Sequence, residues 1–221
     1  MTRKSSFAAI SGLLLLACAP ESERGFIEIE PHRASFAHDL RTSDADGGPA
    51  RSITPWPAGE ITFAFLGETP GLDVYRFREE ARAGLLEWQK ATSRRVVFTE
   101  MEDPLQASVL ISFRPGDHQG DRDCGDQFTN PAETVAHVFT YDQDCQAGVI
   151  HLNQDLDWVM NGSGAPGTYD VRYVILHEVG HLLGLPHHLE PGHIMHTDYM
   201  GAVRTLTEEE GQDAVAALGE T

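Results

Sequence analysis

The stretch His177-Glu-Val-Gly-His-Leu-Leu-Gly-Leu-Pro-His187 decides how the rest of the chain is read. His177 and His181 stand four residues apart, so on a helix their imidazoles project from one face, one turn apart, and can reach the same metal ion. Gly184 can take the left-handed conformation that ends a helix and Pro186 cannot continue one, so the chain turns there and can bring His187 to that ion. Three histidine nitrogens leave one tetrahedral position of a zinc ion open for water, which a hydrolytic site needs and a closed structural site lacks. A bare H-E-x-x-H string is a moderate signal, because it recurs on helix faces that bind nothing. The five fixed residues His177, Glu178, His181, Gly184 and His187 are another matter, coinciding by chance in roughly one chain in a hundred thousand at ordinary residue usage. Glu178 is then the candidate general base for a water made more acidic by the metal. His188, His193 and His196 crowd the next segment as rival third ligands, but only His187 has the spacing that goes with the helix break.

The flanking sequence supplies a frame for that helix. Residues 171–183 form an apolar run, with Thr168 or Asp170 as N-cap, after a Gly/Ser/Pro loop over 155–170. Upstream, residues 60–65 alternate as a strand does, and 74–92 carry Val74, Phe77, Ala81, Leu85 and Trp88 at helical spacing. Residues 95–99, 107–113, 135–139 and 148–152 read as four further strands. Thr207-Glu-Glu-Glu210 is a capping-box pattern that opens a closing helix to about Leu218. The pattern is that of a mixed α+β domain, opening near Trp56-Pro-Ala-Gly.

The histidine motif resembles the metzincin consensus and, within it, the matrixins. Met195, eight residues past His187, with Pro191 between them and Tyr199 four further on, is similar to the matrixin stretch that leads into the Met-turn. Trp56-Pro, the long helix through Trp88, the Ile111-Ser-Phe113 strand and the Leu206-Thr-Glu-Glu ending also match, so the likeness runs over about residues 52–220. It implies a zincin-like catalytic domain over 53–221 with a twisted sheet, a long helix, an active-site helix and a closing helix. It also implies a zinc-dependent endopeptidase, with Met195 as a floor beneath the histidines. The substrate would be a peptide lying extended along an edge strand. Residues 197–204 would line the pocket beyond the scissile bond. Tyr199 is a candidate for that wall or for a hydrogen bond to a tetrahedral intermediate, against a packed tyrosine with its hydroxyl at the surface.

Matrixins also hold a structural zinc, for which the resemblance points to His118, Asp121, His137 and His151. His118-Gln-Gly-Asp121 has one residue more than the usual family pair, which leaves Asp117 or Asp123 as substitutes, or an empty site. Calcium is doubtful: Asn153 and Leu156 stand where the family places carboxylates, leaving Asp155 and Asp157 to supply oxygen ligands. The family's cysteine-switch sequence does not occur, so either the enzyme is born active or its control lies elsewhere.

At the other end, Met1-Thr-Arg-Lys followed by apolar residues 7–17 has the build of a secretory signal and is too short to span a membrane. Leu15-Leu-Ala-Cys18 resembles the bacterial lipobox, which implies a lipidated Cys18 and an anchor at the cell envelope. Cleavage after Ala19 and free secretion is the alternative, although it leaves Pro20 just past the cut. Residues 18–52 read as a flexible tether. Cys124 and Cys145 are an even pair in an exported protein, so a disulfide is expected, contributing about 3 kcal/mol; two metal-binding thiolates are disfavoured by the lack of C-x-x-C spacing. The net charge of −18 repels phosphate backbones and anionic lipid, which argues against nucleic acid and confines membrane contact to the anchor. A monomer is expected. Two other readings remain: an exported metal-binding or adhesive module without activity, which has no need for Glu178, and a zinc hydrolase of non-peptide amides or esters.

Overall fold

The computed structural model of the chain describes residues 56–116, 128, 134–139, 147–160, 162, 165–201 and 205–219. The signal and tether, Cys18, Cys124, Cys145, His118 and Asp121, and the alternatives Asp117 and Asp123, lie outside the described residues.

Alternation in the first run becomes strand β1 (Gly59–Leu66), which buries Ile61 and Phe63 on one face. It pairs in parallel with both β2 (Val96–Glu100) and β3 (Val109–Arg114), and β3 pairs in parallel with β5 (Gly148–Asn153). Strand β4 (Ala136–Phe139) runs antiparallel to β5 and closes the order β2-β1-β3-β5-β4. Among the described residues the sheet therefore ends in an antiparallel strand at β4 and a parallel one at β2.

Helix α1 (Val74–Ala91) is the crossover between the parallel strands β1 and β2, and Asp73 caps it by accepting from Arg76 N. Its Phe77, Ala81, Leu85 and Trp88 are buried, the spacing expected of its apolar face. Helix α2 (Val171–Leu182) carries the histidine motif, and every residue from Tyr173 onward in it is buried. The two helices approach closely at Gly84, where an added Cβ would sit 3.1 Å from Ile175 Cγ2. They are pinned where Trp88 Nε1 donates to Leu176 O at 2.8 Å. Trp56 N donates to Leu182 O at 2.9 Å, tying the start of the domain to the end of α2.

The loop expected over 155–170 is more ordered than its composition suggests. It contains β6 (Asp157–Val159) and β7 (Thr168–Asp170), paired in parallel as a small second sheet. Trp158 anchors it by an edge-to-face contact with Phe113, centroids 5.3 Å apart, and by donating from Nε1 to Asn153 O at 2.8 Å. Helix α3 (Glu208–Ala217) opens with the full capping box: Glu210 N donates to Thr207 Oγ1, and Thr207 N donates to Glu210 Oε2. The mixed sheet with its helices is the α+β architecture expected of a metzincin domain.

Candidate metal centre

Both ends of α2 are fixed by identifiable devices. At its start Asp170, not Thr168, is the N-cap; its carboxylate accepts from Tyr173 N at 3.2 Å and from Gly162 N at 2.8 Å. At its end Gly184 takes φ 97°, Gly184 N donates to His181 O at 2.9 Å, and Leu185 N donates to Gly180 O at 3.0 Å. This is the paired-bond helix stop that a glycine in the left-handed region permits. The reversal brings His187 back against the helix, with ring centroids 5.3 Å from His177 and 5.1 Å from His181.

One nitrogen of each ring lies within 4.8 Å of the others. His177 Nδ1 is 2.6 Å from Ile194 O, and His181 Nδ1 is 2.6 Å from Leu185 O. A carbonyl oxygen only accepts, so both Nδ1 atoms carry the proton and both Nε2 atoms carry a lone pair. Those Nε2 atoms are 3.0 Å apart, and lone pairs that close repel unless a cation lies between them. Tetrahedral zinc at its usual nitrogen distance spaces two ligands by about 3.3 Å, so the pair is near the span the ion needs. A proton is a poor occupant: burial pushes the His181 ring well below its ordinary pKa, helped by His177 and His187, and lowers His187 to about 4. The residues present thus fit a divalent metal.

Glu178 is fully buried, and neither carboxylate oxygen has a hydrogen-bond partner among the described residues. Burial pushes its carboxyl well above the ordinary range, the condition of a group poised to hold and release a proton. Beneath the histidines, Met195 packs on Gly180: a Cβ there would collide with Met195 Sδ and lie 3.1 Å from both Met195 Cε and Trp88 Cζ2. Glycine within the motif is thus the residue that lets the methionine floor reach the helix.

The matrixin peptidase family matches residues 55–218, nearly the whole of the described region. The chain belongs to the matrixins. It is 33% identical over 146 residues to Metalloendoproteinase 5-MMP of Arabidopsis thaliana, covering 63% of this chain and 37% of the plant protein. Karilysin of Tannerella forsythia is 32% identical over 158 residues, covering 70% of this chain and 31% of its own length. Interstitial collagenase of Oryctolagus cuniculus is 26% identical over 163 residues, covering 74% and 32%. The chain spans about a third of the length of these curated relatives.

The other histidines of this matrixin are occupied differently. His188 stacks on His193 with centroids 3.8 Å apart, and His196 Nδ1 accepts from Asp198 N at 3.0 Å; none of the three rivals joins the group of His177 and His181. His137 and His151 face each other across β4 and β5, Nε2 to Nδ1 at 3.0 Å, both buried, with His137 packed against Phe128 and Phe139. Asn153 is spent on structure, donating to Thr134 O and accepting from Asp155 N, while Asp155 accepts from Gly116 N.

Tyr199 departs from the sequence reading. It packs on Tyr169 and Tyr173, but its hydroxyl is turned inward and accepts from Asp170 N at 2.7 Å, bracing the cap of α2 rather than facing solvent. Glu210 has a role that its capping pattern does not announce: Oε1 accepts from Met195 N at 3.2 Å, so the closing helix holds the floor of the site.

Proposed function

We propose that this matrixin is an exported zinc-dependent endopeptidase, with His177, His181 and His187 as ligands and Glu178 as general base. The observation that carries this reading is the pair of Nε2 lone pairs 3.0 Å apart, with the next residue after His177 a fully buried carboxylate that has no hydrogen-bond partner among the described residues. Bound zinc supplies Lewis acidity, polarising a peptide carbonyl and acidifying water. Ile194 O and Leu185 O hold the two helix imidazoles in the tautomer that ligates. Glu178 takes the proton of the attacking water and hands it to the departing amine as the peptide bond breaks. The β4 edge offers main-chain hydrogen bonds to an extended substrate.

The reading extends to residues 1–17 as a signal, Cys18 as a lipid anchor, residues 18–52 as a tether, and a Cys124–Cys145 disulfide. It also includes a second zinc on His137 and His151, joined by His118 and Asp121. The test is cleavage of a mixed peptide library by the chain from Ala19 onward, followed by mass spectrometry, against Glu178→Ala with its zinc content measured. Activity falling at least about 100-fold with zinc retained is expected. Silence in both proteins with zinc bound would shift the reading to a binding module or a non-peptide substrate.

A further inference from the structure

The segment between the third histidine and the methionine floor, residues 188–194, contains a second group of metal-binding side chains. His188, Glu190 and His193 each offer one ligand atom, and these atoms lie within 4.8 Å of one another. The imidazoles of His188 and His193 stand face to face, centroids 3.8 Å apart and planes 16° from parallel. The loop is closed by the 2.7 Å bond from His188 N to Met195 O and turned at Gly192, φ 100°. Its ends therefore hold the two rings side by side, and because imidazole lone pairs lie in the ring plane, one ring must turn out of the stack for both to face a single ion. Behind His193, Glu210 Oε1 lies 3.9 Å from Nδ1, and Glu210 is only 3% exposed. His188, His193, Glu210 and Asp213 line one cavity of about 240 Å³, which also reaches His187.

We propose that His188, Glu190 and His193 form a second transition-metal site, separate from the three-histidine centre. Two imidazoles and one carboxylate suit zinc, copper or nickel rather than calcium or magnesium, which take all-oxygen shells. Glu210 and Asp213 add negative charge to the cavity wall, where a dication is favoured. At 3.9 Å from His193 Nδ1, Glu210 is beyond hydrogen-bond distance and contributes through its charge alone. The site is weaker than the main centre, because its ligands are only partly buried and Glu190 is exposed. His188 Nδ1 also accepts from Glu190 N at 3.1 Å, a bond surrendered if that nitrogen ligates. Differences in supporting contacts of this kind change metal affinity by about 10–100-fold. The site therefore fills only when free metal is high. Once filled, it clamps the loop that joins His187 to Met195.

The test compares the full Glu178→Ala chain with the same chain carrying His188→Ala and His193→Ala, each titrated with zinc against a chromophoric chelator near neutral pH. The expected result is one fewer zinc equivalent in the second chain, lost from the weaker class, with the tight class unchanged. Any zinc held by His137 and His151 appears in both chains and cancels. Equal stoichiometry in the two chains overturns the proposal, and so does loss of the tight class, which would place these histidines in the main centre. A second measurement needs no substitution at the site. In the Glu178→Ala chain, the His188 and His193 imidazole resonances are expected to shift only after the tight equivalents have bound; resonances that stay fixed throughout the titration overturn the site, whatever the fold of the double variant.

Discussion

Replacing Gly180 with alanine should destabilise the domain, and the sign of that effect should reverse when Met195 is truncated. An alanine methyl at 180 collides with Met195 Sδ and presses Trp88 Cζ2 at 3.1 Å. Trp88 has no room to shift while Met195 fills the adjoining space, being fully buried and held by its 2.8 Å bond to Leu176 O. Met195 must yield within a packed interior, and overpacking of this kind costs about 1–3 kcal/mol. Alanine gains about 1 kcal/mol over glycine in a helix interior, which leaves a net loss of about 1 kcal/mol. Met195→Ala alone opens a void and costs about 2–5 kcal/mol. In that void the alanine methyl finds room, Trp88 can relax, and Gly180→Ala becomes stabilising by up to about 1 kcal/mol from propensity alone. The coupling is therefore about 2 kcal/mol. Urea unfolding of the four metal-free chains, all carrying Glu178→Gln so that they cannot digest themselves, reads it from midpoints at constant slope. If Gly180→Ala shifts stability by the same amount in both backgrounds, within about 0.5 kcal/mol, then Met195 is not what requires glycine at this position.

Acidification should weaken the metal-free Glu178→Gln chain between pH 6.5 and about 4, because His187 titrates near 4 and His181 well below 6.5, so the unfolded chain takes up protons the folded one refuses. His187 alone accounts for at most about 3 kcal/mol over that window, and urea midpoints that do not move between about pH 7 and pH 5 would contradict it. The glutamine removes the opposing effect of Glu178, whose raised carboxyl destabilises as pH rises. Glu210→Ala should cost about 2–3 kcal/mol, because it strips the acceptor from Met195 N as well as from Thr207, whereas Thr207→Ala should cost about 1 kcal/mol as an ordinary cap loss; thermal midpoints that rank the two the other way would deny Glu210 its role at the floor. Tyr199→Phe should lower stability by about 1 kcal/mol and leave kcat within about threefold, whereas a loss near 100-fold would show the hydroxyl serving the reaction.

Much of the fold was legible because its signals are long or redundant. Strand β1 alternates over most of its length, α1 repeats its apolar residues over 18 positions, and α3 has both partners of its capping box within four residues. The three histidines were legible for a different reason: two are placed by helix period and the third by a glycine that ends the helix. Strands β6 and β7 were missed because three residues each, Asp157–Val159 and Thr168–Asp170, cannot display a period amid glycine and serine. The inward hydroxyl of Tyr199 and the reach of Glu210 to Met195 were invisible because both depend on contacts across 29 and 15 residues, which no local pattern encodes. The carbonyls of Leu185 and Ile194 carry no side-chain signature at all.

Those two carbonyls have a consequence for how the protein can vary. Because the oxygens that set the tautomers of His177 and His181 belong to the main chain, no single side-chain replacement at 185 or 194 deletes them. The selective burden falls instead on what shapes the backbone there, chiefly the Gly184 turn and the grip of Glu210 on Met195. Replacement of Leu185 or Ile194, both buried in the core, therefore costs packing energy without deleting the ligand tautomers, whereas a change one step removed disturbs the tautomers themselves. Lineages that differ at 185 and 194 can inherit the same ligand geometry, while a change at 184 or 210 disturbs it without touching a histidine.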